Sequence, residues 1–181
     1  MTTATEQHAT SSKLLMGQLA PALKVNTLEH GWWNLMDQSP KTYTMVVFYR
    51  GVHCPICAQH LAELDQKLSQ FHQLGVNAIA ISGDSLDKAQ QLKSTASISH
   101  LPIGYGLQPA DMRRWGLYLS QGHFEQEPSL FSEPAVFLIK ADGHLYFSNV
   151  GTHPFSRLSW DFLLTGLDYV IANDYPFRGT L

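Results

Sequence analysis

The sequence predicts an α/β fold with a central mixed sheet flanked by helices. Two apolar segments of strand length, residues 45–49 and Val76–Ile81, are separated by a helical pattern, which is the arrangement of a parallel βαβ unit. A third apolar segment, Ala135–Lys140, is followed by the turn residues 141–143 and then by residues 145–148, which predicts an antiparallel hairpin. Parallel and antiparallel pairs in one chain predict a mixed sheet.

The N-terminal part of the chain is predicted to extend this sheet. Residues 1–12 are polar and rich in Thr and Ser, which predicts a flexible tail and leaves residues 13–181 as the folded domain. Residues 13–20 are predicted to form a short helix. Residues 22–28 and 32–34 are separated by Glu-His-Gly, and this pattern predicts an N-terminal β-hairpin.

Three longer helices are predicted from apolar spacing and end signals. The first runs from Cys54 to about residue 74 and ends at a glycine. The second is Leu86–Thr95, for which Asp84 is the expected N-cap. The third runs from residue 156 to about residue 172. Its predicted inward side chains are Leu158, Phe162, Leu163, Leu167 and Val170.

Two shorter regions complete the prediction. Asp111 is expected to cap a helical turn that runs to Trp115. Residues 117–132 show neither a helical nor a strand period, and they are interpreted as a loop.

Cys54 and Cys57 lie where the first apolar strand gives way to the first helix. A helix N-terminus carries free N–H groups and about half a positive charge, so it stabilises a thiolate. Cysteines in such Cys-x-x-Cys turns have pKa values of roughly 3.5–7.5 rather than about 8.5. The thiol nearer the helix start, Cys54, is therefore predicted to be reactive. Cys57 is close enough to form a disulfide with it.

Composition limits the classes of function. A net charge of −3 argues against a broad nucleic-acid-binding surface, and no window approaches the roughly 20 apolar residues of a membrane span. The N-terminal residues lack the apolar segment of a signal peptide, so a cytoplasmic location is expected. In that reducing compartment, two cysteines in one Cys-x-x-Cys indicate a catalytic or metal-binding pair rather than a structural disulfide.

Three segments carry a resemblance to a known family. They are residues 46–57 (Val-Val-Phe-Tyr-Arg-Gly-Val-His-Cys-Pro-Ile-Cys), residues 78–85 (Ala-Ile-Ala-Ile-Ser-Gly-Asp-Ser) and residues 134–143 (Pro-Ala-Val-Phe-Leu-Ile-Lys-Ala-Asp-Gly). The chain resembles the alkyl hydroperoxide reductase/thiol-specific antioxidant family, the peroxiredoxin branch of the thioredoxin fold. The resemblance spans roughly residues 20–170. It implies a thiol-dependent antioxidant oxidoreductase that needs no cofactor.

The active-site motif departs from the family pattern. Peroxiredoxins carry Pro-x-x-x-Thr-x-x-Cys, and in the shared register Cys57 takes the place of that cysteine, Cys54 replaces the threonine and Arg50 replaces the proline. Residues 133–134 (Glu-Pro) stand where the family has a later arginine. The resemblance therefore implies a peroxiredoxin-like protein with a thioredoxin-like dithiol. The peroxiredoxin register makes Cys57 the attacking thiol, whereas thioredoxin-like chemistry favours Cys54, with Cys57 resolving.

Three further residues are predicted to belong to the site. Arg50, four residues before Cys54, either lowers the thiol pKa in place of the missing arginine or pairs with an acid such as Asp84. His53 either faces solvent or tunes the thiolate. Pro134, by the resemblance, is expected to be a cis proline facing the dithiol. Thioredoxins also have a buried acid six residues before the first cysteine, and Phe48 occupies that position here.

The expected substrate is a hydroperoxide or a disulfide, reduced at the expense of a thiol or a thioredoxin-like donor. The alternative is a redox sensor or a copper- or zinc-binding module without turnover, and a homodimer is compatible with either. Zinc would use the two cysteines with two of His53, His60 and His72. Copper would need a distant histidine, for which the candidates are His123, His144 and His153. Covalent haem would need a histidine where Ala58 stands.

Overall fold

The computed structural model describes residues 13–181, and its main feature is a seven-stranded mixed sheet. The strands in chain order are β1 (Lys24–Thr27), β2 (Gly31–Asn34), β3 (Tyr43–Phe48), β4 (Val76–Ile81), β5 (Ile103–Tyr105), β6 (Leu119–Gln121), β7 (Leu130–Ser132), β8 (Ala135–Lys140) and β9 (Leu145–Val150). Seven of them form one sheet in the order β2-β1-β5-β4-β3-β8-β9, and β6 and β7 form a separate hairpin. The helices are α1 (Pro55–Gln73), α2 (Leu86–Thr95), α3 (Pro109–Arg114) and α4 (Trp160–Ala172).

The middle of the sheet confirms the predicted mixed pairing. β3 pairs in parallel with β4 and antiparallel with β8, and β8 pairs antiparallel with β9. The predicted N-terminal hairpin is β1–β2, and it joins the sheet through antiparallel pairing of β1 with β5. β3 therefore lies in the interior of the sheet, and its C-terminal end leads to the two cysteines.

Buried side chains form a cluster on each face of the sheet. Alternate residues of β3 contribute to the two clusters, Met45 and Val47 to one and Val46 and Phe48 to the other. The first cluster contains the apolar side of α1 together with buried residues of α2 and α4, and the second contains Met112 of α3. The helices therefore flank the sheet on both sides, as predicted.

Helix α1 is amphipathic and buries one of its faces against the sheet. Its buried side chains are Cys57, His60, Leu61, Leu64, Leu68 and Phe71. Pro55 is at the first helical position, where its missing N–H is no loss. The helix ends before Gly75, whose φ of +77° is easy only for a residue without Cβ. The helix thus holds Cys57 at the buried face of its first turn.

Several predictions near the chain ends and in the connections are wrong. Residues 13–20 form no helix, because Gly17 has a φ of +84° and its N–H donates to the carbonyl of Leu145. Helix α4 begins at Trp160 with Ser159 as its N-cap, and Phe162 is 74% exposed rather than inward. The predicted loop over residues 117–132 contains the β6–β7 hairpin. The predicted tail, residues 1–12, lies outside the described residues.

Two predicted helix caps are also placed differently. Ser85, rather than Asp84, caps α2, since its side chain accepts the N–H of Lys88. Asp111 lies inside α3, and Gln108 occupies the N-cap position. Across residues 13–181, no helix is long and apolar enough to cross a membrane.

Candidate active site

The turn between β3 and α1 is held by a buried carboxylate. Asp84, which follows β4, is 4% exposed, and its Oδ2 accepts the backbone N–H of Val52 at 2.8 Å. Gly51 has a φ of +140°, and a Cβ there would lie 2.7 Å from Oδ1 of Asp84. A residue without a side chain is therefore needed at position 51. The carboxylate and the glycine together set the path that leads into Cys54.

Cys54 and Cys57 are both reduced and buried, with exposed fractions of 1% and 0%. Cys54 is the N-cap of α1, and its Sγ accepts the N–H of Cys57 at 3.3 Å. This contact uses one of the four N–H groups that a helix leaves free at its N-terminus. The sulfur of Cys54 therefore lies at the N-terminus of α1 and accepts one of its free N–H groups, as the motif predicted.

Arg157 supplies the positive charge at the dithiol. It lies in the loop before α4, 100 residues beyond Cys57, and its Nη2 donates to Sγ of Cys57 at 2.9 Å and to Sγ of Cys54 at 3.8 Å. Its Nε donates to the carbonyl of Pro154. The sequence was interpreted as helix at this point, so this arginine was missed. Its charge adds to the effect of Arg50, which also lowers the pKa of Cys54.

The two thiols have opposite pKa shifts. The pKa of Cys54 is lowered to about 6, first by a hydrogen bond from the Cys57 thiol, then, against burial, by the Cys57 N–H and by Arg50 and Arg157. Burial raises the pKa of Cys57, and its hydrogen bond to Cys54 raises it further, against the opposing charge of Arg157. Cys54 is therefore the thiolate of the pair at neutral pH, and Cys57 keeps its proton.

Arg50 is held by two glutamates of the β6–β7 region rather than by Asp84. Its Nε lies 3.2 Å from Oε2 of Glu133, and its Nη2 lies 3.4 Å from Oε1 of Glu127. The guanidinium also stands over the ring of Phe131, 4.6 Å from its centroid. Arg50 contributes to the lowered pKa of Cys54, and it also fastens the hairpin to the active-site turn. Its role in tuning the thiolate stays a prediction.

His53 does not face solvent. Its ring packs against Phe131 with centroids 4.8 Å apart, and both ring nitrogens are buried without a hydrogen-bond partner among the described residues. Burial lowers the pKa of His53, and the charge of Arg50 lowers it further. The imidazole is therefore neutral at neutral pH.

Pro134 has a trans peptide bond, since no cis bond occurs in the described part of the chain, and the expectation of a cis proline is wrong. Hydrogen bonds on both sides hold this extended path. The N–H of Glu133 donates to the carbonyl of Tyr118 at 2.7 Å, and the carbonyl of Pro134 accepts the N–H of Gly151 at 2.9 Å. Pro134 lines a small cavity of about 10 Å³ together with Arg157 and His60.

Three of the histidines considered as metal ligands have other contacts. His60 contacts the carbonyl of Leu158, His144 lies 3.1 Å from Asp142, and the ring of His153 packs against Phe155. Within residues 13–181, no group of three or more His, Cys, Asp or Glu side chains is placed to hold a metal ion. The copper and zinc alternatives therefore have no preformed cluster among these residues.

The model of the AhpC/TSA family matches residues 16–148, which is well over half of the chain. The matched region includes both cysteines, Arg50 and Pro134, and it ends before Arg157. None of the curated proteins matches the chain.

Solved structures with the same fold include three peroxiredoxins. A mutant of peroxiredoxin 6 from Arenicola marina aligns with a TM-score of 0.75 and 16% identity, over 90% of this chain and 76% of that one. The reduced 2-Cys peroxiredoxin of Plasmodium vivax aligns with a TM-score of 0.74 and 20% identity, over 90% of this chain and 84% of that one. A yeast mitochondrial 1-Cys peroxiredoxin aligns with a TM-score of 0.73 and 15% identity, over 90% of this chain and 78% of that one. At these identities the likeness shows the fold.

Proposed function

Because this chain belongs to the AhpC/TSA family and is a thiol-dependent antioxidant oxidoreductase, we propose that Cys54 is its attacking thiolate and Cys57 its resolving thiol. The observation that carries this assignment is the position of Cys54 as N-cap of α1, where its sulfur receives an N–H and the guanidinium of Arg157. Cys57 lies one turn deeper, and burial favours its protonated form. The thioredoxin-like order of the two thiols is thereby favoured over the peroxiredoxin register.

With a hydroperoxide, the proposed reaction has two steps. The Cys54 thiolate attacks the terminal peroxide oxygen, the O–O bond breaks, and the alkoxide takes a proton to leave as an alcohol, or as water from hydrogen peroxide. Cys54 is then a sulfenic acid. Cys57 attacks its sulfur, the S–O bond breaks, and the hydroxyl leaves as water with the Cys57 proton. The product is a Cys54–Cys57 disulfide, and the substrate has accepted both electrons.

Arg157 serves both steps. In the first step its charge favours the Cys54 thiolate, 3.8 Å away. In the second step Cys57 must become the nucleophile, and the same guanidinium stands 2.9 Å from its sulfur. Once Cys54 has been oxidised, its negative charge no longer opposes ionisation of Cys57. The charge of Arg157 can then stabilise the thiolate of Cys57, as it stabilised the thiolate of Cys54 before oxidation.

A thiol donor must reduce the disulfide to complete the cycle. A thioredoxin-like dithiol or a small thiol can do this by exchange through a mixed disulfide. The yeast 1-Cys peroxiredoxin of similar fold is resolved through glutathione/thioredoxin systems, which supports a donor of this kind. A cytoplasmic location would keep such donors reduced. Residues 13–181 form the proposed catalytic domain, and exposed Phe155 and Phe162, on either side of Arg157 in the sequence, suit a homodimer.

Turnover assays on cysteine variants test this function. The parent protein should consume hydroperoxide continuously with thioredoxin or dithiothreitol as donor. Cys54→Ser should abolish consumption, whereas Cys57→Ser should reduce about one equivalent of peroxide per chain before dithiol-supported turnover slows. Reduction of insulin by the parent, without peroxide consumption, would show disulfide exchange instead. Inactivity in both assays with tight metal uptake would overturn the proposal in favour of a metal-binding module.

A further inference from the structure

We infer that His60 is a positioning residue whose neutral imidazole accepts a hydrogen bond from Arg157 and so fixes the guanidinium against the two sulfurs. This inference rests on the proposed function of Cys54 and Cys57. His60 follows Cys57 by three residues on α1 and is 8% exposed. It touches neither sulfur through any hydrogen bond of the described residues, so it acts only through Arg157.

The contacts of His60 join α1 to the segment before α4. Its Nε2 lies 2.8 Å from the carbonyl oxygen of Leu158, and its Nδ1 lies 3.5 Å from Nη1 of Arg157. Its ring stacks on Trp160, with centroids 4.2 Å apart and planes 22° from parallel. The indole Nε1 of Trp160 in turn donates to the carbonyl of His60 at 2.9 Å. The His60 imidazole is thus fixed by Trp160 on its face and by a hydrogen-bond partner at each ring nitrogen.

These partners determine which nitrogen of His60 carries the proton. A carbonyl oxygen only accepts, so the contact with Leu158 requires a proton on Nε2. A guanidinium only donates, so the contact with Arg157 requires a lone pair on Nδ1. Both contacts are satisfied by one neutral tautomer and by neither the other tautomer nor the imidazolium. The surroundings therefore select a hydrogen-bond acceptor that faces Arg157.

The electrostatic surroundings keep His60 neutral. Burial lowers the pKa of His60 to about 4, and the charge of Arg157 opposes protonation, whereas the contact with Leu158 and the nearby Glu63 favour it. At neutral pH the Nδ1 lone pair is therefore present in nearly all molecules. No change of charge at His60 is needed for its role.

With His60 in place, every edge of the Arg157 guanidinium has a partner. Nε donates to the carbonyl of Pro154, Nη1 to His60, and Nη2 to the two sulfurs. A planar guanidinium whose Nε and Nη1 are both hydrogen-bonded leaves Nη2 little freedom to move. Without the acceptor at Nδ1 of His60, the guanidinium would be fixed only by the hydrogen bond from Nε to Pro154. It could then rotate and move Nη2 away from the sulfurs. His60 therefore orients the charge that stabilises the thiolate.

Two amide variants separate the two hydrogen bonds of His60. His60→Asn places an amide oxygen near the position of Nδ1, where it can accept from Arg157. His60→Gln places its amide near the position of Nε2, where it can donate to Leu158 and leaves Arg157 without the acceptor. His72→Gln is the matched control, since His72 is an exposed histidine on the same helix. The measurement is the rate of Cys54 alkylation against pH, together with the rate of peroxide reduction.

We expect His60→Gln to raise the pKa of Cys54 by about half a unit to one unit, the range for partial loss of a neighbouring charge, and therefore to slow its alkylation by about threefold to tenfold near pH 5, below the parent value of about 6. His60→Asn and His72→Gln should stay within about twofold of the parent. Equal slowing by the two amides at position 60, slowing by Asn alone, or no slowing by either overturns the inference. A parent Cys54 that reacts no faster than free cysteine overturns the proposed function instead.

Discussion

The carboxylate of Asp84 accepts the backbone N–H of Val52, and this bond joins the end of β4 to the turn that carries Cys54. Burial raises the pKa of Asp84, against the effects of the Val52 N–H, Lys88 and Ser82. The folded protein therefore binds this proton more tightly than the unfolded chain does. The stability linked to it is fully present below the ordinary value of 3.8 and is lost as pH rises through the raised pKa.

Asp84→Asn should therefore stabilise the protein at neutral pH. The amide oxygen can still accept the N–H of Val52, while the cost of burying a charge disappears. We expect a higher melting temperature than the parent at neutral pH, with the difference shrinking as the pH falls from the raised pKa of Asp84 toward 3.8 and staying constant below it. Asp87→Asn is the matched control, because Asp87 is an exposed acid in the first turn of α2. Loss of its favourable helix-dipole interaction should slightly destabilise the protein. A less stable Asp84→Asn variant at neutral pH would contradict this prediction.

Arg157→Gln should weaken the thiolate. Removal of a cation next to an ionised group shifts its pKa by about one unit or more, so the pKa of Cys54 should rise by about that amount. Because that pKa is about 6 in the parent, alkylation should slow by roughly tenfold near pH 5 and by only about twofold at neutral pH. Arg157→Lys should fall between, because a single ammonium cannot contact Pro154, His60 and the sulfurs together. Arg113→Gln, at an exposed arginine of α3, is the control and should match the parent. An unchanged Cys54 in Arg157→Gln would mean that the helix N-terminus and Arg50 suffice.

The Arg50–Glu133 pair should matter more to stability than to chemistry. Its side chains are only 14% and 5% exposed, so Arg50→Gln leaves a buried carboxylate without its ionic partner. We expect a loss of about 3 kcal/mol, the low end of what breaking a buried pair costs. Adding Glu133→Gln should recover part of that loss, since the unpaired charge is then gone. Urea denaturation measures both, and a double variant less stable than Arg50→Gln alone would contradict this reading.

Apolar runs and turn residues were enough to predict the central elements. β4, β8 and α2 were predicted with their observed bounds, since turn residues border each of them on at least one side, although α2 is capped by Ser85 rather than by the predicted Asp84. The β6–β7 hairpin was missed because three-residue strands are too short to show a period of two. Phe162 was expected inward because it fits the predicted helical spacing, but the buried side chains of α4 are Trp160, Leu163 and Leu167, and Phe162 lies on the opposite side of the helix.

The site was only partly predictable for a related reason. Cys54 and Cys57 are adjacent on one helix start, so local rules locate them and predict which is nearer the free N–H groups. Arg157 and His60 act through contacts across 97 residues of chain, and no local pattern marks either. A single arginine in a short loop before a helix gives no periodic signal. Only the packing of α4 on α1 brings them together.

Mass spectrometry of the reduced protein after one equivalent of hydroperoxide shows directly whether Cys54 attacks and Cys57 resolves. We expect a bond between Cys54 and Cys57 in the parent, and in Cys57→Ser a sulfenic acid on Cys54 that a trapping reagent captures. Cys54→Ser should give little adduct on Cys57 in the same time. A parent without that bond, or a Cys57 that is oxidised as fast in the absence of Cys54, would contradict the account.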